Sequence, residues 1–285
     1  MIICICGPTG VGKTKLSIKL AQKYKAIVIN ADAMQVYKGL DIGTAKITEN
    51  EKENIPHYLF DIKDVTQNYT VYDYQQDLRA LLKKYAQKNI IIVGGTGLYI
   101  KAGLYDYRFY PQKENLNFTK LTNEELYKLC LKKDPNMNIH LNNRRRLENF
   151  LKRDQEEFNK DKLLYPAIFI GLTTSRENLY DKINTRVEEM FRQGLLEEAK
   201  YFYDQKIYSK ALLTGIGYKE LYLYFDHKIS LEEAKELIKK NSRHYAKRQY
   251  TWFNNQMNLK WFDVNFANFE QTIKEVEEYI NSKCR

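Results

Sequence analysis

The chain has few cysteines and no long apolar run. Its four cysteines, Cys4, Cys6, Cys130 and Cys284, form no C-x-x-C pair and have no histidine partner at zinc spacing, which argues against a metal or redox site. Cys4 and Cys6 alternate along an apolar strand and are expected as buried thiols. No apolar run approaches the roughly 18 to 20 residues that span a bilayer. The apolar start MIICIC is short and lacks the basic region of a signal peptide, so the expectation is a cytoplasmic protein with no membrane segment. Internal repeats and low-complexity linkers are missing too.

What is present is a chain of 285 residues, 44% apolar and 29% charged, enough to bury a full core as one elaborated domain or two modest ones. Lys and Arg outnumber Asp and Glu by 46 to 36, a formal net charge of +10, which favours a polyanionic partner. Short Ile- and Val-rich runs alternate with helical patterns, the mark of an α/β sheet with crossover helices. The expected strands are 2–6, 26–30, 57–62, 90–94 and 167–172. Leu78, Leu81, Leu82 and Tyr85 recur at helix spacing, as do Leu179, Ile183, Val187 and Met190, the latter behind Ser175 as N-cap. From Tyr107 to about Leu164 the strand pattern gives way to polar helix. The expected organisation is therefore a P-loop NTPase-like parallel sheet core at 1–106 and 165–285, with a helical insertion at 107–164 and a helical C-terminal part. Further helices are expected near 195–203, after Ser230 with Glu233 in a capping box, and through Phe269, Ile273, Val276 and Ile280; KWFDV reads as a last strand.

The first strand runs into GPTGVGKT, Gly7, Pro8, Thr9, Gly10, Val11, Gly12, Lys13 and Thr14. The glycines let backbone amides turn inward on a phosphate, Lys13 adds a point charge, and Thr14 offers a hydroxyl to Mg²⁺ at a helix N-terminus. A kinase or ATPase also needs an acidic metal ligand on a neighbouring strand. Here that strand ends in Gly94, Gly95 and Thr96. Two glycines and a hydroxyl suit close approach of a substrate and one hydrogen bond to a leaving group; an ordinary strand-to-helix turn is the other reading. Asp32 follows the second strand and should face the same crevice, either as a proton acceptor or as a turn cap.

GPTGVGKT, D-x-x-Q-V-Y at Asp32–Tyr37, DIGTAK, PHYLFDIKD, VGGTGLY, IGYKE and YAKRQYTWF occur in the order found in tRNA dimethylallyltransferases, and the chain resembles that family outside the insertion. The resemblance implies that the loop grips the diphosphate of dimethylallyl diphosphate and that the prenyl group moves to N6 of the adenine 3′ of the anticodon in tRNA. It implies that Asp32 takes the amine proton, while Lys13, Thr14, Mg²⁺ and Thr96 neutralise the leaving diphosphate. Contacts to tRNA would come from Asp32, Ala33, Met34, Gln35 and Thr96. Ala33 stands where the family often has serine. In the insertion, NIHLNNRRRLEN departs from the family's I-H-P-N-D-x-x-R-x-x-R at Leu141, Asn143 and Asn149, while Arg146 matches, and Arg144 and Arg145 are extra. The zinc finger of eukaryotic members is absent.

After Ser230, Lys240, Arg243, His244, Lys247 and Arg248 share one helical arc, with Tyr245, Tyr250, Trp252 and Phe253 among or beyond them. The pattern suits phosphate contacts beside stacked bases; a surface helix with inward aromatics fits the same spacing. A monomer is expected. The rival readings are a P-loop small-molecule kinase binding ATP, an adenylate isopentenyltransferase acting on free AMP or ADP, and a non-catalytic RNA-binding GTPase-like module. The last lacks an N-K-x-D guanine motif.

Overall fold

Alternation along the first strand divides the interior into two cores. The computed structural model describes residues 1–109, 116–152 and 162–284. In β1 (Ile2–Cys6), Ile3 and Ile5 enter one buried cluster, Cys4 and Cys6 the other. All four are essentially inaccessible. Burial holds the Cys6 thiol at about 12, so these cysteines are packing groups, as expected.

The glycine-rich loop leads into α1 (Lys13–Tyr24), then β2 (Ile27–Asn30), a short β3 (His57–Tyr58), α2 (Val71–Lys84), β4 (Ile90–Val93) and α3 (Gly97–Leu104). The insertion holds α4 (Asn123–Lys133) and α5 (Arg144–Lys152), and β5 (Ile168–Thr173) rejoins the sheet. Then follow α6 (Arg176–Arg192), α7 (Leu195–Asp204), α8 (Lys210–Thr214), α9 (Tyr218–Phe225), α10 (Leu231–Gln256), β6 (Lys260–Asp263) and α11 (Phe269–Lys283). The sheet order is β3-β2-β4-β1-β5-β6, every pair parallel. Leu16 and Leu20 of α1 and Ile273, Val276 and Ile280 of α11 cover one face; Leu78 and Leu82 of α2, Val187 of α6 and Phe253 of α10 cover the other. Each such side chain is worth about 1.5 to 3 kcal/mol when fully buried.

The predicted caps are present: Ser175 accepts from Asn178 N, and Ser230 with Glu233 forms a reciprocal box. One expected strand is cut short. The run 57–62 pairs only at His57 and Tyr58, because Leu59 and Asp61 adopt positive φ (64° and 53°) that a strand cannot continue. The Leu59 carbonyl instead accepts from Asn30 Nδ2 at 3.0 Å.

Two compact units result: Met1–Tyr105 with Leu163–Arg285, and Asp106–Lys162; the insertion was expected at 107–164. Within the second, α4 carries a Thr122/Glu125 capping box and packs Leu126 and Cys130 against Leu147. Arg144 is spent on this packing. Its guanidinium donates to the carbonyls of Phe118 (2.7 Å) and Leu121 (2.8 Å) and pairs with Glu148. Arg145 and Arg146 remain exposed. Among the described residues no helix is long and apolar enough to cross a membrane.

Candidate active site

Three adjacent central strands, β2, β4 and β1, end side by side, and their carboxyl ends deliver Asp32, Thr96 and the glycine-rich loop to one crevice. The ladder continues past the strands: Ala31 N donates to Val93 O (2.8 Å), Thr96 N to Ala31 O (3.0 Å) and Gly94 N to Ile5 O (3.2 Å).

In the loop, Gly7, Gly10 and Gly12 all take positive φ (138°, 88°, 85°). At Gly7 a Cβ would also stand 2.5 Å from the Leu172 carbonyl, so only glycine fits. Pro8 and Val11 are buried, Val11 within the sheet core, so their side chains anchor the loop. Lys13 opens α1 and folds back so that Nζ donates to Pro8 O at 2.6 Å. Burial pushes this amine down to about 8, against the opposing pull of the Asp32 carboxylate. Thr14 is exposed, and its hydroxyl has no partner among the described residues.

Asp32 takes the turn-cap position that the sequence left open, and the turn leaves one of its carboxylate oxygens uncommitted. Its Oδ1 accepts from Met34 N at 2.9 Å, a turn cap, and Asn30 Oδ1 holds its own N–H at 2.8 Å. Oδ2 has no hydrogen-bond partner among the described residues, so the turn orients a carboxylate oxygen that is free to take a proton. The Thr96 hydroxyl accepts from Ala33 N at 3.0 Å and is in hydrogen-bond contact with the Tyr245 phenol. Met34 is half-buried. Gln35 gives its amide to the carbonyls of Thr44 (3.0 Å) and Ala45 (3.3 Å), keeping Oε1 as an acceptor.

Gly94 and Gly95 are required by the protein's own packing, which fits the turn reading. A Cβ on Gly94 would lie 2.2 Å from the Ala31 backbone, and one on Gly95 2.0 Å from Gln249 Nε2. Gly97 likewise makes room for the Trp252 ring. The aromatics of α10 mostly turn inward: Phe253 is fully buried and Trp252 stacks edge-on against it. Burial and the Asp32 charge push the Tyr245 phenol well up, with Thr96 and Gln249 beside it. Tyr250 stays exposed, next to Trp261. The basic arc also divides. Lys240, His244, Lys247 and Arg248 face solvent, while Arg243 donates to Asn184 Oδ1 at 2.6 Å and lies over the Tyr180 ring.

Residues 35–256 match the IPP transferase family. The chain belongs to the IPP transferases. Over 300 residues it is 44% identical to a tRNA dimethylallyltransferase of Anoxybacillus flavithermus, spanning 99% of this chain and 96% of that protein. With one of Bacillus licheniformis it shares 43% over 304 residues, 99% and 97% of the two chains. A crystal structure of a tRNA isopentenylpyrophosphate transferase from Bacillus halodurans superposes with a TM-score of 0.76 at 40% identity, covering 99% and 96%. A eukaryotic dimethylallyltransferase acting on tRNA superposes at 0.83 with 27% identity, covering 99% of this chain and 79% of that one.

Two side chains of this IPP transferase site were not singled out from sequence. Arg186 of α6 donates to Thr9 Oγ1 at 3.0 Å and to Thr44 O at 3.4 Å. Burial lowers its basicity, and Asp32 partly restores it. Gln249 of α10 accepts from Thr9 N (2.9 Å) and donates to Gly95 O (3.0 Å), tying the basic helix to the loop. Arg186 flanks the Ile183–Val187 stripe and carries no clear signal. Gln249 does: it is a polar residue on the buried Ala246–Phe253 face, and a buried amide needs partners.

Proposed function

We propose that the chain transfers the dimethylallyl group from dimethylallyl diphosphate to N6 of the adenine 3′-adjacent to the anticodon in tRNA, acting in the cytoplasm as a monomer. The observation that carries this reading is one carboxylate, Asp32, with an oxygen unpartnered among the described residues, in electrostatic reach of two half-buried cations, Lys13 and Arg186. That arrangement suits a diphosphate that leaves and an amine that loses a proton. The neighbouring strand β4 runs into Gly94, Gly95 and Thr96 and does not offer there the acidic metal ligand of a phosphoryl-transfer site.

The N6 lone pair attacks the allylic carbon; the C–N bond forms as the C–O bond to diphosphate breaks. Lys13 and Arg186 take up the charge developing on the leaving oxygens, and Thr96 is assigned to the same diphosphate, its hydroxyl exchanging the Tyr245 phenol for a leaving oxygen. Asp32 Oδ2 receives the amine proton. Gln35 Oε1 offers an acceptor to the same amine. Among the described residues no group of three or more His, Cys, Asp or Glu could hold a metal by itself. The uncommitted Thr14 hydroxyl at the first turn of α1 fits Mg²⁺ held jointly with substrate oxygens and water. When bound, that ion adds charge neutralisation on the diphosphate.

Phosphate contacts to tRNA are assigned to Lys247 and Arg248 on α10 and to Arg145 and Arg146 on α5. Lys247→Ala or Arg248→Ala is expected to flatten the plot of log K against log salt by up to about one unit for each lost phosphate contact. Arg243→Ala should change that slope little, because its guanidinium is committed to Asn184; filter binding across a salt series separates the two cases. Equal slopes for all three variants would remove α10 from the tRNA face.

The direct test incubates the protein with dimethylallyl diphosphate, Mg²⁺ and unmodified tRNA, followed by nucleoside analysis of the digested RNA. N6-dimethylallyladenosine is the expected product. Prenylated AMP with untouched tRNA would instead make this an adenylate isopentenyltransferase, and phosphoryl transfer from ATP a kinase.

A further inference from the structure

Two sequence motifs carry no chemistry in the account above, DIGTAK (residues 41–46) and IGYKE (216–220), and they meet at a single side chain. Glu198 of α7 accepts through Oε2 from Asp41 N (2.9 Å) and Ile42 N (2.8 Å), and through Oε1 from Gly43 N (3.0 Å) and Tyr218 Oη (2.6 Å). Four donors on one carboxylate saturate it. Tyr218 is completely buried, and burial together with Glu198 pushes its phenol far up, so it remains a donor. Gly43 is required by the same packing: a Cβ there would stand 2.7 Å from the Tyr218 ring and hydroxyl.

The segment held in this way is the one that orients the site. Its Thr44 carbonyl accepts from Gln35 Nε2 and from Arg186 Nη2, and its Ala45 carbonyl from Gln35 Nε2. Gln35 stands with the amine-binding residues and Arg186 with the diphosphate loop, so a single backbone segment fixes one group from each half of the reaction.

We propose that Glu198 is a positioning residue for prenyl transfer, acting through the 41–45 segment to hold Gln35 and Arg186 in register with each other. The proposal rests on the prenyl-transfer reading given above. A carboxylate suits the task because all of its acceptor sites face N–H or O–H donors, and charged acceptors make the stronger hydrogen bonds. Glutamine at this position keeps the size but turns an NH₂ toward donors, which forces the segment to shift. A displacement on the order of 1 Å costs up to about 100-fold in rate.

Glu198→Gln is expected to lower kcat about 10- to 100-fold, to weaken inorganic pyrophosphate binding through Arg186, and to speed amide exchange over residues 41–45. Combined with Gln35→Ala it should cost clearly less than the product of the two single effects, since one acts through the other. Tyr218→Phe, which leaves three of the four donors in place, should give a smaller loss in the same direction and serves as the decisive variant if Glu198→Gln does not fold. A variant with a lower melting temperature but unchanged kcat, KM and pyrophosphate affinity would reduce Glu198 to a structural staple, and multiplicative effects with Gln35→Ala would break the link to that residue. If the wild-type protein prenylates no tRNA, the functional reading fails, while pyrophosphate titration and amide exchange still decide the positioning claim.

Discussion

Asp32→Asn is expected to slow prenyl transfer by about 10² to 10⁴ while leaving diphosphate binding intact. The substitution is unusually clean here. Asparagine keeps an Oδ1 to accept from Met34 N, so the turn that the aspartate caps survives. What disappears is the basic oxygen. Removing the negative charge beside Lys13 and Arg186 takes away repulsion toward an anion, and the bound anion itself replaces the pull of Asp32 that keeps the Lys13 amine charged. Single-turnover rates with tRNA, set beside pyrophosphate titration at pH 7, read the two effects separately. Normal turnover would leave Asp32 as a turn cap alone; lost diphosphate binding would place it in the metal shell.

Lys13→Ala should cost about 10² to 10³ in turnover, the usual loss for one preorganised contact to a developing oxyanion. The wild-type pH profile gives the same residue a second test. Burial lowers the Lys13 amine to about 8 in the free protein, so the charged form is complete well below that pH and is lost as pH rises through it. Accordingly kcat/KM for dimethylallyl diphosphate, which reports the free enzyme, should fall on the alkaline side of about pH 8. In Lys13→Ala that limb should vanish. A limb that persists in the variant belongs to another group.

Both experiments bear on residues that could be named from sequence, and the reason is local geometry. The phosphate loop is a contiguous stretch in which glycine spacing, a lysine and a hydroxyl lie between an apolar strand and a helix. The strands at 2–6, 27–30 and 90–93 and the Ser175 and Ser230 caps are equally local, set by side-chain alternation and by hydrogen bonds three residues long. Asp32 and Thr96 needed one inference more, that parallel strands end on the same edge.

Where the sequence left a placement open or misjudged it, the deciding partner lay far along the chain. Arg243 and Lys247 share a helical arc, but only the arrival of α6 beneath that helix assigns one to Asn184 and leaves the other in water. Gly94 and Gly95 read as clearance for a substrate or as an ordinary strand-to-helix turn; the Ala31 backbone and Gln249 pack where their Cβ atoms would stand. The strand expected at 57–62 stops after two residues, since Asn30 claims the Leu59 carbonyl from a neighbouring strand end.

By itself, then, the sequence determined the sheet with its phosphate loop, the carboxylate beside that loop, and the family, because short-range periodicity and contiguous motifs specify these without knowledge of the partners. Only the tertiary structure decided how the site is held. Thr9 meets Gln249 across 240 residues and Arg186 across 177, and Glu198 gathers the 41–43 amides from 155 to 157 residues away. Contacts of that range follow from how helices pack on the sheet, and an exposed glutamate on an isolated helix looks the same in sequence as one whose carboxylate closes a turn.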